Sequence, residues 1–339
     1  MKPIGLIDMH CDTLTAFLSM MDSQEEYKRC LASDELRGPL LKRLGQLDTI
    51  DDPHSVLSVS KMPKGLHWAQ FFAIFVPDEC RGRGAVEYFD ANVANFNRQM
   101  VKFSDRIVPC RTAAEMETAF AADKFVGILA VEGGAALAGD LSRVQALADA
   151  GVRALTLVWN GANEIGSGNV NLEMGLTDFG RAVIPELERC GILIDVSHLN
   201  DKGFWDLCEV AKKPFIATHS NARAIAPHRR NLTDEQIDEM VRRGGLIGLN
   251  YFVKFLCEDG KVQSLDDLYR HVVHFLERGA EQCLALGSDF DGAALPEYLN
   301  SCEKAVGIYE YLISRGLSET LAEDIMFGNA MRFFQKHLK

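Results

Sequence analysis

The chain has 339 residues, 47% of them hydrophobic and 25% charged, which is enough apolar material for a closed core without disulfides or a structural metal. A formal net charge of −12 argues against nucleic acid and anionic membrane as main partners. No apolar run approaches the roughly 18 residues a membrane helix requires, the start MKPIGLIDMHCD does not read as a secretory signal, and the nine cysteines are scattered as free thiols of a reducing cytosol would be. These features predict a soluble, cytoplasmic protein.

In chain order, the first short apolar run, 4–9 (IGLIDM), reads as a strand buried on both faces and leads into DMHCD. Residues two apart on a strand share a face, so Asp8, His10 and Asp12 are expected to point inward together while Cys11 points away. His10 and Asp12 then offer a pair of metal ligands, and Asp8 a carboxylate to orient an imidazole. The plain alternative is a buried histidine paired with an acid. A helix over 14–31 and an irregular excursion over 38–63 make the first connection too long for one βα unit.

Further runs follow at 70–76, 125–131, 153–158, 191–196, 214–218, 245–250 and 283–288. Between them lie helical patterns at 84–102, 141–150, 177–190, 201–212, 233–243, 265–278 and 302–314, and a last helix over 318–337 is expected to pack outside the sheet. Strand and helix alternating eight times over 1–339 predict one α/β domain, a (β/α)8 TIM-type barrel with a long first βα excursion and an extra C-terminal helix. An open doubly wound sheet is the rival arrangement.

Barrel enzymes keep their chemistry at the C-terminal strand ends, because side chains from different strands converge there. Five of the eight runs end in residues capable of metal or acid–base chemistry: His10 and Asp12, Glu132, His198, His219 and Asp289. Glu132 is followed by two glycines and reads as a carboxylate able to bridge two divalent ions about 3.5–4 Å apart, with His198 and His219 completing the second ion. Imidazole and carboxylate without thiolate suit Zn²⁺, with Mn²⁺ or Co²⁺ as substitutes. His54, His67, His271, His274 and His337 read as surface or packing residues, whereas His228-Arg229-Arg230 forms a positive spot able to hold a substrate carboxylate. A solvated loop charge is the alternative there.

Taken together, IDMHCD, VEGG, LTLVWNGAN, IDVSHLN, PFIATHSNARAIAPHRRN, GLNYF, LGSDFDG and FGNAMRFF resemble the membrane (renal) dipeptidase family of zinc peptidases, in family order from residue 7 to about 334. The resemblance implies two Zn²⁺ ions per chain, one on His10 and Asp12 and one on His198 and His219, with Glu132 between them. It further implies that Arg230 binds the C-terminal carboxylate of a dipeptide and that Asp289 moves the proton near the scissile bond. Trp159 stands where animal members carry a substrate-contacting histidine, and Trp159, Asn160 and Tyr251 are expected to line the substrate site. An indole N–H donates one hydrogen bond but carries no charge. A homodimer is implied as well. The expected reaction is attack on the peptide bond by a metal-bridging hydroxide. Another amidohydrolase-like barrel acting on a cyclic amide or nucleobase, or a degenerate metal-binding barrel, are the alternatives.

Overall fold

In the computed structural model, residues 3–15, 33 and 50–339 are described. Most of the helix expected over 14–31, and residues 38–49 of the excursion expected over 38–63, lie outside them. The described residues form nine strands: β1 (Gly5–Cys11), β2 (His67–Phe75), β3 (Ile107–Pro109), β4 (Phe125–Glu132), β5 (Val152–Thr156), β6 (Leu193–Asp195), β7 (Ile216–Ala217), β8 (Leu246–Leu249) and β9 (Leu284–Leu286). Eight of them close a parallel barrel in the order β1, β2, β4 through β9, with β9 returning to β1 through Asp8 opposite Leu286. Each of the eight expected apolar runs overlaps one barrel strand. The short β3 adds to the start of β4 and was not expected.

Strand alternation divides the core. Ile7, Met9, Phe71, Ile128, Ala154, Ile216 and Ala285 fill the barrel, while Leu6, Cys11, Ile247 and Leu286 pack outward against the helices. The helices follow their sequence signals. Asp234–Arg243, for example, opens on a reciprocal Thr233–Gln236 capping box and ends on Gly244 at φ 66°, where a side chain would be strained. A helix at Ala113–Ala121, started by the Thr112–Glu115 capping box, had the same signal and was not anticipated.

The C-terminal segment corrects an expectation. It runs as Glu319–Glu323, a π-helical turn Asp324–Gly328, and Asn329–His337. Rather than joining the outer ring, its last helix plugs the N-terminal end of the barrel. Phe334 packs 5.4 Å from Phe71 inside the barrel, and Asn329 donates to the Leu284 carbonyl at the start of β9 at 2.8 Å. Its apolar face therefore covers one mouth of the barrel and leaves the other for the site. No helix among the described residues is long and apolar enough to cross a membrane.

Candidate metal centre

The residues singled out at strand ends converge at the open mouth. His10 is the next-to-last residue of β1, Glu132 ends β4, and His198, His219 and Asp289 follow β6, β7 and β9 within three residues. His10, Glu132 and His219 form one group able to hold a metal ion, and His10, Asp12 and Asp289 a second.

The path of β1 differs from the simple alternation argument. With Leu6 outward and Ile7 and Met9 inward, strict alternation would send His10 outward with Leu6 and Asp8. The register against β2 slips by one residue between Asp8 and Cys11, and this bulge turns His10 into the barrel. Asp8 stays behind. Its carboxylate accepts from the Ser288 backbone N–H, the Ser288 hydroxyl and the backbone N–H of His10. It therefore positions the β1–β9 junction and does not orient an imidazole.

The two Glu132 oxygens face different partners. Oε2 lies 3.7 Å from His10 Nε2, while Oε1 lies 2.8 Å from His198 Nε2 and 3.5 Å from His219 Nε2. His10 Nε2 is also 3.4 Å from Asp12 and 3.9 Å from Asp289. Asp289 thus reaches the same position as Asp12, where it has the geometry to ligate as well as to move protons.

Hydrogen bonds behind His198 and His219 fix their tautomers. Thr218 donates its hydroxyl to Asp195 at 2.6 Å, so its oxygen accepts from His219 Nδ1 at 2.8 Å. His198 Nδ1 donates to Asn160 Oδ1 at 3.1 Å. Both Nε2 atoms are then bare lone pairs, 3.0 Å from each other and facing a carboxylate oxygen. Acceptor set against acceptor is repulsive unless a cation sits between them, and His10 Nε2 and Asp12 Oδ1 are buried without any hydrogen-bond partner among the described residues. This donor set fits divalent metal.

The electrostatics agree. Burial holds His198 and His219 well below the usual histidine range, with nearby Arg230 and His10 adding to it, so both are neutral. For His10, burial opposes the charge, but Glu132, Asp12 and Asp289 outweigh it and push the imidazole up to about 10. Burial raises Glu132 well above its ordinary value and raises Asp289 as well. A buried acid cluster that draws a proton onto a histidine is one that favours a bound cation.

The backbone is also specialised here. His198 and Asp289 take left-handed conformations at φ 70° and 64°, a strained choice for residues with side chains and one that aims them at the site. Gly292 keeps the second group open, since a Cβ there would lie 1.9 Å from Asp12 Oδ2.

Of the substrate candidates, Arg230 is 6% exposed with Nε and Nη2 unpartnered, its guanidinium 5.2 Å from the Phe255 ring. Trp159 stacks edge-on to Phe75 at 4.9 Å and sits 6.3 Å from the His198 ring. Asn160 is engaged with His198, which gives it an orienting task. Tyr251 is buried with its ring edge against Phe290. Three further contributors were not singled out from sequence, and a fourth, Asn250, stood there only as a polar residue at the end of the 245–250 run. Asp195 accepts from both Thr156 and Thr218, and Asn250 donates to Asp289 at 3.0 Å. Asp291 holds Thr13 and the backbone N–H groups of Val56 and Leu57. His271 accepts from the Ala222 N–H at 3.2 Å and donates to the Leu256 carbonyl, bracing the loop that carries Arg230. The carboxylate in IDVSH and the second one in SDFDG were the available signals.

The model of the membrane dipeptidase family, Peptidase family M19, matches residues 1–338. The chain belongs to this family. It is similar to an uncharacterized protein in the pqqA 5′ region of Klebsiella pneumoniae, 34% identical over 69% of this chain and 91% of that one. Among solved structures, the metallopeptidase called dipeptidase AC, of family M19, superposes with a TM-score of 0.85 at 28% identity, covering 99% of each chain. A metallopeptidase from Rhodobacter sphaeroides, solved with a phosphinate mimic of the dipeptide L-Ala-D-Ala, superposes at 0.84 with 27% identity over 99% of this chain and 100% of that one.

Proposed function

We propose that residues 1–339 form one catalytic domain, a zinc-dependent dipeptidase that hydrolyses short peptides with a free C-terminal carboxylate. The observation that carries this reading is the division of Glu132, one oxygen toward His10 and the other toward His198 and His219. His10 and Asp12 would hold one ion, His198 and His219 the other, with Glu132 shared. Bound there, divalent ions supply a nucleophilic water at neutral pH and polarise the peptide carbonyl.

The chain's own groups do the rest. Arg230, buried and unpaired, offers two donors to the substrate's carboxylate, which limits the length of peptide that fits. Asp289, raised by burial and held by Asn250, takes a proton and returns it to the leaving amine. Trp159, its ring 6.3 Å from that of His198, would offer its indole N–H toward the carbonyl side of the substrate. The ligand of the Rhodobacter sphaeroides relative supports a dipeptide as the substrate class. Two copies of the chain are expected to associate, in the cytoplasm.

The test is metal analysis of protein purified with zinc, together with a dipeptide panel that includes L-D pairs and C-terminal amides. About two metals per chain and cleavage of free-carboxylate dipeptides, but not their amides, is the expected result. Metal-loaded protein inert toward every dipeptide would overturn the activity, and protein unable to retain metal would overturn the site.

A further inference from the structure

The loop that carries Arg230 brings further cationic groups to the same place. His228 accepts the Arg230 backbone N–H on Nδ1 at 3.2 Å, so the proton of its neutral ring sits on Nε2, as a donor. Its ring packs 4.7 Å from Phe255, the same ring that the Arg230 guanidinium covers at 5.2 Å. Phe255 lies on the one-turn helix Val253–Leu256 that follows β8 at the open mouth, and the next side chain on that turn is Lys254. Lys254 is exposed and has no acidic partner among the described residues.

Among the described residues, the charges that act most strongly on His228 are of one sign. Burial is the largest influence holding it below the usual histidine range, followed by Arg230, Lys254, Arg223 and Arg229, with no carboxylate among its causes. Arg223 is already committed to Asp201 through two hydrogen bonds at 2.8 and 2.7 Å. Arg230, Lys254 and the His228 Nε2–H remain as donors. One substrate α-carboxylate uses the Arg230 fork. In a protein of net charge −12, no carboxylate of the described residues is among the groups that act most strongly on His228, and none pairs with Lys254.

We propose that His228 and Lys254, together with Arg230, form a second anion subsite, which selects dipeptides whose C-terminal residue carries an acidic side chain. A side-chain carboxylate at that residue would accept from His228 Nε2–H and lie within the field of Lys254, while its α-carboxylate stays on Arg230. A glutamine or alanine side chain there leaves the cationic groups uncompensated. A lysine side chain adds repulsion. This selectivity rests on the dipeptidase reading and sharpens it.

The experiment compares kcat/KM of the zinc-loaded protein for Ala-Glu and Ala-Asp against Ala-Gln, Ala-Ala and Ala-Lys, in both chiralities of the second residue. Charge-assisted hydrogen bonding predicts a preference of about ten- to a hundredfold for the acidic over the isosteric amide substrate. Free glutamate should inhibit more strongly than glutamine by a similar factor. In Lys254→Glu the acidic-to-amide ratio should fall toward unity, and His228→Gln should lower it further in combination. Dipeptide cleavage with no acidic preference in the unaltered protein, or a preference untouched by both substitutions, would overturn the subsite and leave the dipeptidase reading standing. Absence of cleavage for all five dipeptides would overturn both.

Discussion

Arg230 is the residue whose energetics and proposed task pull hardest against each other. Its guanidinium is held from an ordinary 12.5 down to about 10, chiefly by burial, despite attraction from Glu132, Asp289 and Asp195. That fall corresponds to about 3 kcal/mol of destabilisation of the charged form. The contact with Phe255 returns about 1 kcal/mol of cation–π attraction. Replacing Arg230 by methionine, close in length and apolar, removes both and should leave the metal-free protein about 2 kcal/mol more stable, since exchanging a buried charge for a packed apolar group is commonly stabilising. Function should move the other way. Losing a buried charged partner for the substrate carboxylate costs about two to three orders of magnitude in kcat/KM. Most of it should fall on KM, because the carboxylate is held equally in ground and transition states. The assay pairs urea unfolding of metal-free R230M and unaltered protein with kinetics on a dipeptide and its C-terminal amide. If R230M is the less stable protein, or if it keeps its preference for the free carboxylate, the reasoning fails.

Glu132→Gln should retain the fold but bind at least one zinc fewer per chain by elemental analysis, because an amide cannot supply two anionic oxygens; unchanged stoichiometry would remove Glu132 from the centre. Asp195→Asn weakens the acceptor that sets Thr218 and, through it, His219, so zinc affinity measured by chelator competition should drop about ten- to a hundredfold. His271, held at about 4 against an ordinary 6.5 mainly by burial, binds its proton more readily when unfolded. Its contribution to stability is therefore complete above pH 6.5 and lost as pH falls toward 4, about 3 kcal/mol in all, and His271→Gln should flatten that part of the denaturation-against-pH profile. Gly292→Ala should fold normally, since Gly292 is exposed, yet lose zinc or turnover through its clash with Asp12.

Much of the site was legible because its residues stand immediately after runs of apolar residues, where a barrel forces side chains together. The convergence of Glu132, His198, His219 and Asp289 needed only that positional argument, whereas His10 also needed the bulge in β1. Asp195, Asn250 and His271 were less visible for a physical reason. Each acts through a hydrogen bond to an element distant in sequence, and a single polar residue within or beside an apolar run has the same local pattern whether it supports a ligand or caps a turn. The C-terminal helix failed in another way. Its periodicity gave an apolar face, but nothing in that periodicity says whether the face meets the flank of a barrel or its open end.

The sequence by itself determined eight buried strands, the alternation with helices and the residue types at each strand end, because hydrophobic period and capping chemistry act over a few neighbouring residues. Tertiary structure alone decided that a one-residue bulge in β1 turns His10 inward and leaves Asp8 on Ser288. It likewise decided which Glu132 oxygen meets which histidine, and that Arg230 is buried unpaired over Phe255. Those outcomes depend on distances between strands that are far apart in the chain, and only the closing of the barrel sets those distances.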